Sequence, residues 1–167
     1  MLKPAKVSAV DVLANAYTND LPFSGILTTH LLEREVVSCR QAADAKGVPL
    51  QNELKTIVLT TTNGSVAVHM RGDHQLSLRA VKRFLDVKEA HLLSVSEMNK
   101  LGLSPGAVCP FLPPVWNMPQ LLSSPLLDLE FVTTNNGTTT GYFIFKPQIL
   151  LKVPHVEVGD FEAQTSS

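Results

Sequence analysis

Residues 56–70, TIVLTTTNGSVAVHM, constrain the fold more than any other part of the chain. Two runs rich in β-branched residues flank the dipeptide Asn63-Gly64, which tolerates the positive φ angles of a type I′ turn. The run TIVL is apolar throughout, which is typical of a strand buried on both faces. The sequence therefore predicts a β-hairpin with a central strand.

The segment before the hairpin predicts a well-capped helix. Ser38 stands at the N-cap, Gln41 completes a capping box three residues later, and Gly47 ends the helix. Apolar spacing and turn residues predict further helices and strands. Further helices are expected over residues 7–18 and 78–85, from an N-cap at Ser96 to Gly102, and from Pro147 onward. Strands are expected over residues 33–37, 91–94, 127–133, 139–145 and 155–158.

These short elements predict an α+β fold. Five of the eleven prolines fall within residues 103–120, which excludes a regular central element there. Short strands interleaved with short helices favour one domain with a mixed, mostly antiparallel, barrel-like sheet surrounded by short helices. Residues 1–32 are expected to form a helical lead-in, and residues 162–167 a disordered tail.

Composition excludes several classes of protein. A chain of 167 residues and 18.2 kDa has the length of one domain. The net charge of −1 excludes a strongly basic coat protein for nucleic acid. Two cysteines indicate free thiols of a reducing compartment, and no stretch has the length and polarity of a signal peptide or a membrane span. A cytoplasmic protein without membrane contact is expected.

The charge is unevenly distributed along the chain. Residues 40–83 carry seven basic and three acidic side chains, with His69 and His74 among them. This third of the chain either faces an anion or forms an ordinary solvated surface.

The sequence carries no common catalytic signature, and its five histidines lack zinc-ligand spacing, so neither a metal nor a cofactor is expected. Lys55 stands at the entrance of the predicted central strand, where its ammonium either holds a phosphate or a carbonyl as a point charge or solvates the strand end. Glycine and proline in Gly106-Ala107-Val108-Cys109-Pro110 predict a rigid turn, which is either an oxyanion cradle of backbone N–H groups or a plain surface turn. A nucleophilic role for Cys109 requires a lowered pKa and a base.

These segments occur in an order that resembles a known family. AADAKGVP precedes KTIVL and VAVHMRGD; LSPGAVCPF and the glycine-rich turn from Gly137 to Gly141 follow, and then VEVGDF. Over residues 33–161 the chain is similar to the YbaK and prolyl-tRNA-synthetase-associated family of aminoacyl-tRNA editing domains. The resemblance implies a free-standing deacylase that removes a small mischarged amino acid of the alanine, cysteine or serine class from tRNA, with tRNA-Pro as the expected carrier.

The resemblance also implies the site and its partners. Lys55 matches the lysine that meets the 3′-terminal adenosine, and Gly106 to Pro110 match the loop whose backbone grips the aminoacyl carbonyl. No side-chain nucleophile is implied, because the tRNA ribose hydroxyl or a substrate thiol assists the attack. The expected substrate-binding residues are Lys55, His69, Arg71, Phe111, Gly137 and Gly141. The expected partners are the acceptor end of aminoacyl-tRNA and prolyl-tRNA synthetase.

The chain departs from the family pattern at the glycine-rich turn. Tyr142 follows Gly141 where some alanine-clearing members have a histidine, and Thr138, Thr139 and Thr140 replace a basic pair. A second hypothesis is therefore a non-catalytic module of the same fold that binds a tRNA 3′ end or a nucleotide. The sequence leaves the amino acid, the tRNA and the oligomeric state open.

Overall fold

The structure, a computed structural model, describes residue 27 and residues 29–164. Eight strands are present in this part of the chain: β1 Thr29–Leu31, β2 Leu54–Thr61, β3 Gly64–Arg71, β4 Ala90–Leu92, β5 Gln120–Ser123, β6 Val132–Asn135, β7 Gly141–Phe145 and β8 Val156–Gly159. Four α-helices accompany them: α1 Cys39–Lys46, α2 Leu78–Leu85, α3 Val95–Lys100 and α4 Pro113–Trp116. The helix expected over residues 7–18 lies outside the described residues.

The strands form two sheets. A five-stranded sheet has the order β4-β2-β3-β5-β8, in which the β3–β5 and β5–β8 pairs are parallel and the others antiparallel. A three-stranded antiparallel sheet has the order β1-β7-β6. The α+β class with a mixed, mostly antiparallel arrangement is confirmed, but the sheets are not closed into a barrel. An isolated parallel bridge between Glu53 and Thr133 links them.

Two apolar clusters hold the sheets and helices together. The larger cluster lies between the sheets and includes Leu54 and Val58 of β2 with Val132 of β6 and Phe143 of β7. The smaller one lies on the other face of the large sheet, where Val81 of α2 meets its apolar side chains. Because β2 and β3 carry apolar side chains on both faces, their runs lack polar alternation.

The hairpin is confirmed, and its turn differs from the prediction. Thr61 pairs with Gly64, so the turn residues are Thr62 and Asn63, and the positive φ falls on Gly64, at 110°. Asn63 has no positive φ. The turn is therefore not type I′, and a glycine at the start of β3 supplies the left-handed conformation.

The cap of α1 is confirmed in part. The Ser38 side chain accepts from the Gln41 N–H, and Gly47 ends the helix with φ 70°. The Gln41 side chain accepts from Val37 N–H rather than from the N-cap itself. Helix α2 and the 3-10 helix that opens at Pro147 also lie where they were predicted.

Several boundaries were wrong. The first described strand is Thr29–Leu31 instead of 33–37, the cap of α3 is Ser94 instead of Ser96, and β6 begins at Val132 because a 3-10 helix occupies Ser124–Asp128. In the stretch taken for a disordered tail, Glu162 bridges to Leu76.

In the described part of the chain no helix has the length and apolar character needed to cross a membrane.

Candidate functional site

A cavity of about 200 Å³ opens where both sheets, α1 and the proline-rich loop converge. Its apolar wall includes Leu32, Val36, Leu54, Met98 and Val108. Its polar wall includes Cys39, Lys46, Glu53, Lys55 and Asn135. Strand β2 contributes three consecutive lining positions, Leu54, Lys55 and Thr56. The cavity therefore accepts a small group with both polar and apolar parts.

Lys55 lies on β2 and lines this cavity, as expected for a lysine at the strand entrance. It is opposite Met70 in the β2–β3 register, and its ammonium donates to the carbonyl of His74. An ammonium has three N–H donors. The tether to His74 holds the charge at the cavity and leaves donors for a second acceptor.

The loop of residues 104–112 contributes Gly106 and Val108 to the lining of the same cavity. Gly106 has φ 77°, and a Cβ added there would lie 3.1 Å from the Cα of Val37, so both conformation and space require glycine. The N–H of Ala107 donates to the Ser104 carbonyl at 3.1 Å, whereas the N–H of Val108 has no acceptor within the described residues. A free N–H beside a cavity is able to receive a ligand oxygen.

The other members of the predicted loop motif lie behind this wall. Ala107, Cys109 and Pro110 are buried and do not line the cavity. Burial raises the pKa of the Cys109 thiol to about 12, despite backbone hydrogen bonds from Phe111 and Leu112 that lower it. The thiol therefore stays protonated and does not act as a nucleophile at neutral pH.

The predicted substrate-binding residues divide into two groups. Gly141 lines the cavity beside Lys55, and the side chain of Asn136 fills the space that a Cβ on Gly141 would need. Gly137 lies in the adjoining turn with φ 91°. His69, Arg71 and Phe111 do not line the cavity, so the structure does not bring them together with Lys55.

Each of those three has other partners. His69 is fully buried, with Nδ1 2.9 Å from Thr56 Oγ1 and Nε2 2.8 Å from Gln120 Oε1. Arg71 pairs with Asp73 at 2.6 Å on the surface. Phe111 packs edge-on against Phe143 and Phe145, with ring centroids 5.8 and 5.3 Å away.

The ion pair of Lys46 and Glu53 was not expected from the sequence. Lys46 Nζ lies 2.7 Å from Glu53 Oε2, and the two side chains are 2% and 5% exposed. Thr133 Oγ1 donates to the same carboxylate at 2.5 Å, and the Tyr142 ring lies 4.7 Å from the ammonium. Desolvation lowers the pKa of Lys46 and raises that of Glu53, although each opposes the shift of the other. The pair joins α1 to both sheets at the cavity wall.

Asn135 was not among the predicted site residues, because Asn135-Asn136-Gly137 predicts a hairpin tip that either lies near a cleft or is a plain turn. In the structure it ends β6, lines the cavity and donates from Nδ2 to the Val108 carbonyl at 2.7 Å. No local signal marks either feature, because the sequence does not show that Lys46 and Glu53, seven residues apart, meet in a buried wall, or that Asn135 reaches Val108, 27 residues away. Among the described residues no group of three or more His, Cys, Asp or Glu side chains is placed to hold a metal ion.

A known family model matches more than half of this chain. A sequence profile described as an aminoacyl-tRNA editing domain matches residues 33–153. The chain is 34% identical over 77 residues to a proline–tRNA ligase of Xanthomonas campestris pv. campestris, a match that covers 46% of this chain and 14% of the ligase. A proline–tRNA ligase of Leptospira borgpetersenii serovar Hardjo-bovis is 28% identical over 67 residues, which cover 40% of this chain and 12% of the ligase.

The fold is also found among solved structures. A candidate trans-editing enzyme for prolyl tRNA synthetase superposes with a TM-score of 0.84 at 22% identity. The superposition covers 95% of this chain and 100% of the other. At that identity the likeness concerns the fold. The matches to the ligases span about a seventh of those proteins or less.

Proposed function

The chain belongs to the aminoacyl-tRNA editing domain family, and on that premise we propose that it is an aminoacyl-tRNA deacylase. It hydrolyses the ester of a small mischarged amino acid of the alanine, cysteine or serine class, with tRNA-Pro as the first candidate carrier. The observation that carries the proposal is that Lys55, Gly106 and Val108 line one cavity. The Lys55 ammonium suits the adenosine end of an aminoacyl ester, and the free backbone N–H of Val108 suits its carbonyl.

The roles of these groups follow from their chemistry. Lys55 contacts the phosphate or ribose of the terminal adenosine as a point charge, held in place by the His74 carbonyl. The backbone N–H of Val108 supports the oxyanion that develops on the aminoacyl carbonyl. The protein positions the ester, and positioning of this kind accounts for a large part of catalysis without covalent chemistry.

Water attacks the ester carbonyl with the assistance of the free ribose hydroxyl of the tRNA, the ester C–O bond breaks, and the ribose oxygen leaves with a proton; in a cysteinyl ester the substrate's own thiol is the alternative group that assists. The thiols near the cavity support this assignment, because Cys109 is buried and burial also raises the pKa of the Cys39 thiol. A protonated thiol is a poor nucleophile. The cavity of about 200 Å³ favours alanyl, seryl and cysteinyl esters over phenylalanyl or tyrosyl esters, since a large side chain is excluded by clash.

The second candidate is a non-catalytic module that binds a tRNA 3′ end or a nucleotide. The glycine-rich turn favours this non-catalytic module, because the three threonines at 138–140 replace the family's basic pair and offer no positive charge to a phosphate. Prolyl-tRNA synthetase is a further proposed partner in either case.

The proposal is tested with a panel of tRNAs charged with alanine, serine, cysteine, proline and phenylalanine. We expect ester loss with the first three and a rate reduced about 10- to 150-fold in Lys55→Ala, the loss of one charge-assisted contact. Lys88→Ala removes an exposed lysine that does not line the cavity and serves as the control.

The outcomes separate the two candidates. Tight binding of charged tRNA without hydrolysis of any ester supports the non-catalytic module. Hydrolysis at the parent rate by the Lys55 variant contradicts the assignment of the site.

A further inference from the structure

We propose that Asn135 is a positioning residue that holds Val108 so that its backbone N–H faces the ester carbonyl. This inference rests on the proposed function and adds a residue outside the predicted site. Asn135 touches the loop, and it acts on the substrate only through the loop.

Both the nitrogen and the oxygen of the Asn135 carboxamide form hydrogen bonds. Its Nδ2 donates to the Val108 carbonyl at 2.7 Å, and its Oδ1 accepts from the Gly137 N–H at 2.9 Å. The side chain therefore connects the proline-rich loop to the glycine-rich turn at the lining of the cavity. The oxygen contact fixes the carboxamide plane, and the nitrogen contact is the one that reaches the loop.

Asn135 is itself held by regular structure. It is the last residue of β6 and pairs with Tyr142 of β7 in the small sheet. Its backbone position is thus set by a strand pair rather than by a flexible turn. Groups placed on strands hold a site more accurately than groups on loops.

The hydrogen bond from Asn135 Nδ2 to the Val108 carbonyl fixes the peptide between Val108 and Cys109. The carbonyl of a residue and the N–H of the next residue point in opposite directions in a trans peptide, and the described residues contain no cis peptide bond. A Val108 carbonyl held by Asn135 therefore directs the Cys109 N–H away from Asn135. The Val108 N–H, which lacks a protein acceptor in the described part of the chain, belongs to the preceding peptide, and Asn135 restrains it through the Cα of Val108 that the two peptides share.

The other end of the loop has little freedom to move. Gly106 has a φ of 77°, and a Cβ added there would lie 3.1 Å from the Cα of Val37, so the backbone passes close to Val37. Asn135 supplies the corresponding restraint at Val108. The preorganisation of a donor in such a cradle depends on restraints of this type, because a donor that must reorient during reaction contributes less.

Two variants separate the contacts of Asn135. Asn135→Asp keeps an oxygen for Gly137 and removes the donor to Val108, whereas Asn135→Ala removes both contacts. The control is Asn52→Ala, because Asn52 Nδ2 also donates to a distant backbone carbonyl, that of Phe131 at 2.9 Å, but does not line the cavity. We measure kcat and KM for alanyl-tRNA, amide hydrogen exchange of residues 106–110, and urea unfolding for each protein.

We expect kcat to fall about 10- to 100-fold in both Asn135 variants, part of the 10²–10³-fold loss seen when an oxyanion donor is removed outright. KM should change less than about twofold, and loop exchange should accelerate. Asn52→Ala should unfold more easily and keep its kcat. Should Asn135→Ala fail to fold, Asn135→Asp, of nearly the same shape, provides the comparison.

An Asn135→Asp protein with parent kcat, or with a raised KM alone, overturns the inference. Unchanged exchange at residues 106–110 overturns it as well. If the parent protein hydrolyses no ester, the proposed function fails, and the exchange measurement alone decides whether Asn135 orients the loop.

Discussion

At the scale of single residues, burial separates the reactive groups from the inert ones. Cys109 belongs to the sequence segment that lines the cavity, but its side chain is 0% exposed and packs in the core between the sheets. Its neighbour Val108 faces the cavity instead. Consecutive residues of one turn therefore have opposite environments, and the thiol contributes packing rather than chemistry.

We predict that Cys109→Ser retains most of the deacylase activity. The hydroxyl is more costly to bury than the thiol, so the free energy of unfolding should fall by about 1–3 kcal/mol. Hydrolysis of alanyl-tRNA and urea unfolding measure the two effects. Complete loss of activity at unchanged stability would contradict this prediction and indicate a covalent thioester on Cys109.

At the scale of elements, the Lys46–Glu53 pair fixes α1 against both sheets. Lys46 ends the helix, Glu53 precedes β2, and Thr133 belongs to β6. Both charges are almost completely removed from water. A buried pair of this kind contributes little net stability, but the loss of one partner leaves an uncompensated charge in a nonpolar environment.

A double-mutant cycle tests this account. Lys46→Met leaves the Glu53 carboxylate unpaired, and Glu53→Gln leaves the Lys46 ammonium unpaired, so each should lower the free energy of unfolding by about 3–5 kcal/mol. The double variant removes both charges, and its loss should be smaller than the sum of the two single losses. Urea unfolding provides all four values. The surface pair Arg71–Asp73, whose side chains are 20% and 31% exposed, is the control and should show a coupling of about 0–1 kcal/mol. Additive losses at Lys46 and Glu53 would disagree with the structure.

At the scale of the whole molecule, the large sheet contains a buried histidine. The amide of Gln120 donates to the Pro154 carbonyl, so its Oε1 accepts from His69 Nε2, and His69 Nδ1 accepts from Thr56. His69 Nε2 therefore carries a proton, and in the neutral imidazole Nδ1 is free to accept from the Thr56 hydroxyl. Burial lowers the pKa of His69 to about 4, against the opposing effect of the Gln120 hydrogen bond.

This histidine should make the stability of the domain depend on pH. Because the unfolded chain binds the proton near pH 6.5 and the folded chain only near pH 4, the stabilisation is complete above pH 6.5 and declines by about 3 kcal/mol as the pH falls to 4. We expect His69→Gln to flatten this slope in urea unfolding between pH 4 and 7. His91→Gln, at a residue whose side chain is 60% exposed, should keep the parent slope. Equal slopes for all three proteins would refute the assignment.

Features encoded by neighbouring residues were predictable from the sequence. The N-cap of α1 at Ser38, its end at Gly47 and the β2–β3 hairpin follow from interactions within a few residues. Strand β5, with four residues directly after a proline-rich stretch, has no such signal and is defined by parallel pairing with β3 and β8. A parallel strand of this length depends on partners that are distant in the chain.

The candidate site shows the same division. The sequence identified Lys55 and the loop of Gly106 to Pro110 through residue type and motif order. Tertiary structure decided that Gly106 and Val108 face the cavity, that Cys109 and His69 do not, and that Glu53 and Asn135 lie at its wall. The Thr133 bond to Glu53 spans 80 residues and the Asn135 bond to Val108 spans 27. Caps and turns are stabilised by adjacent groups, whereas burial and long-range hydrogen bonds arise only when the two sheets pack together.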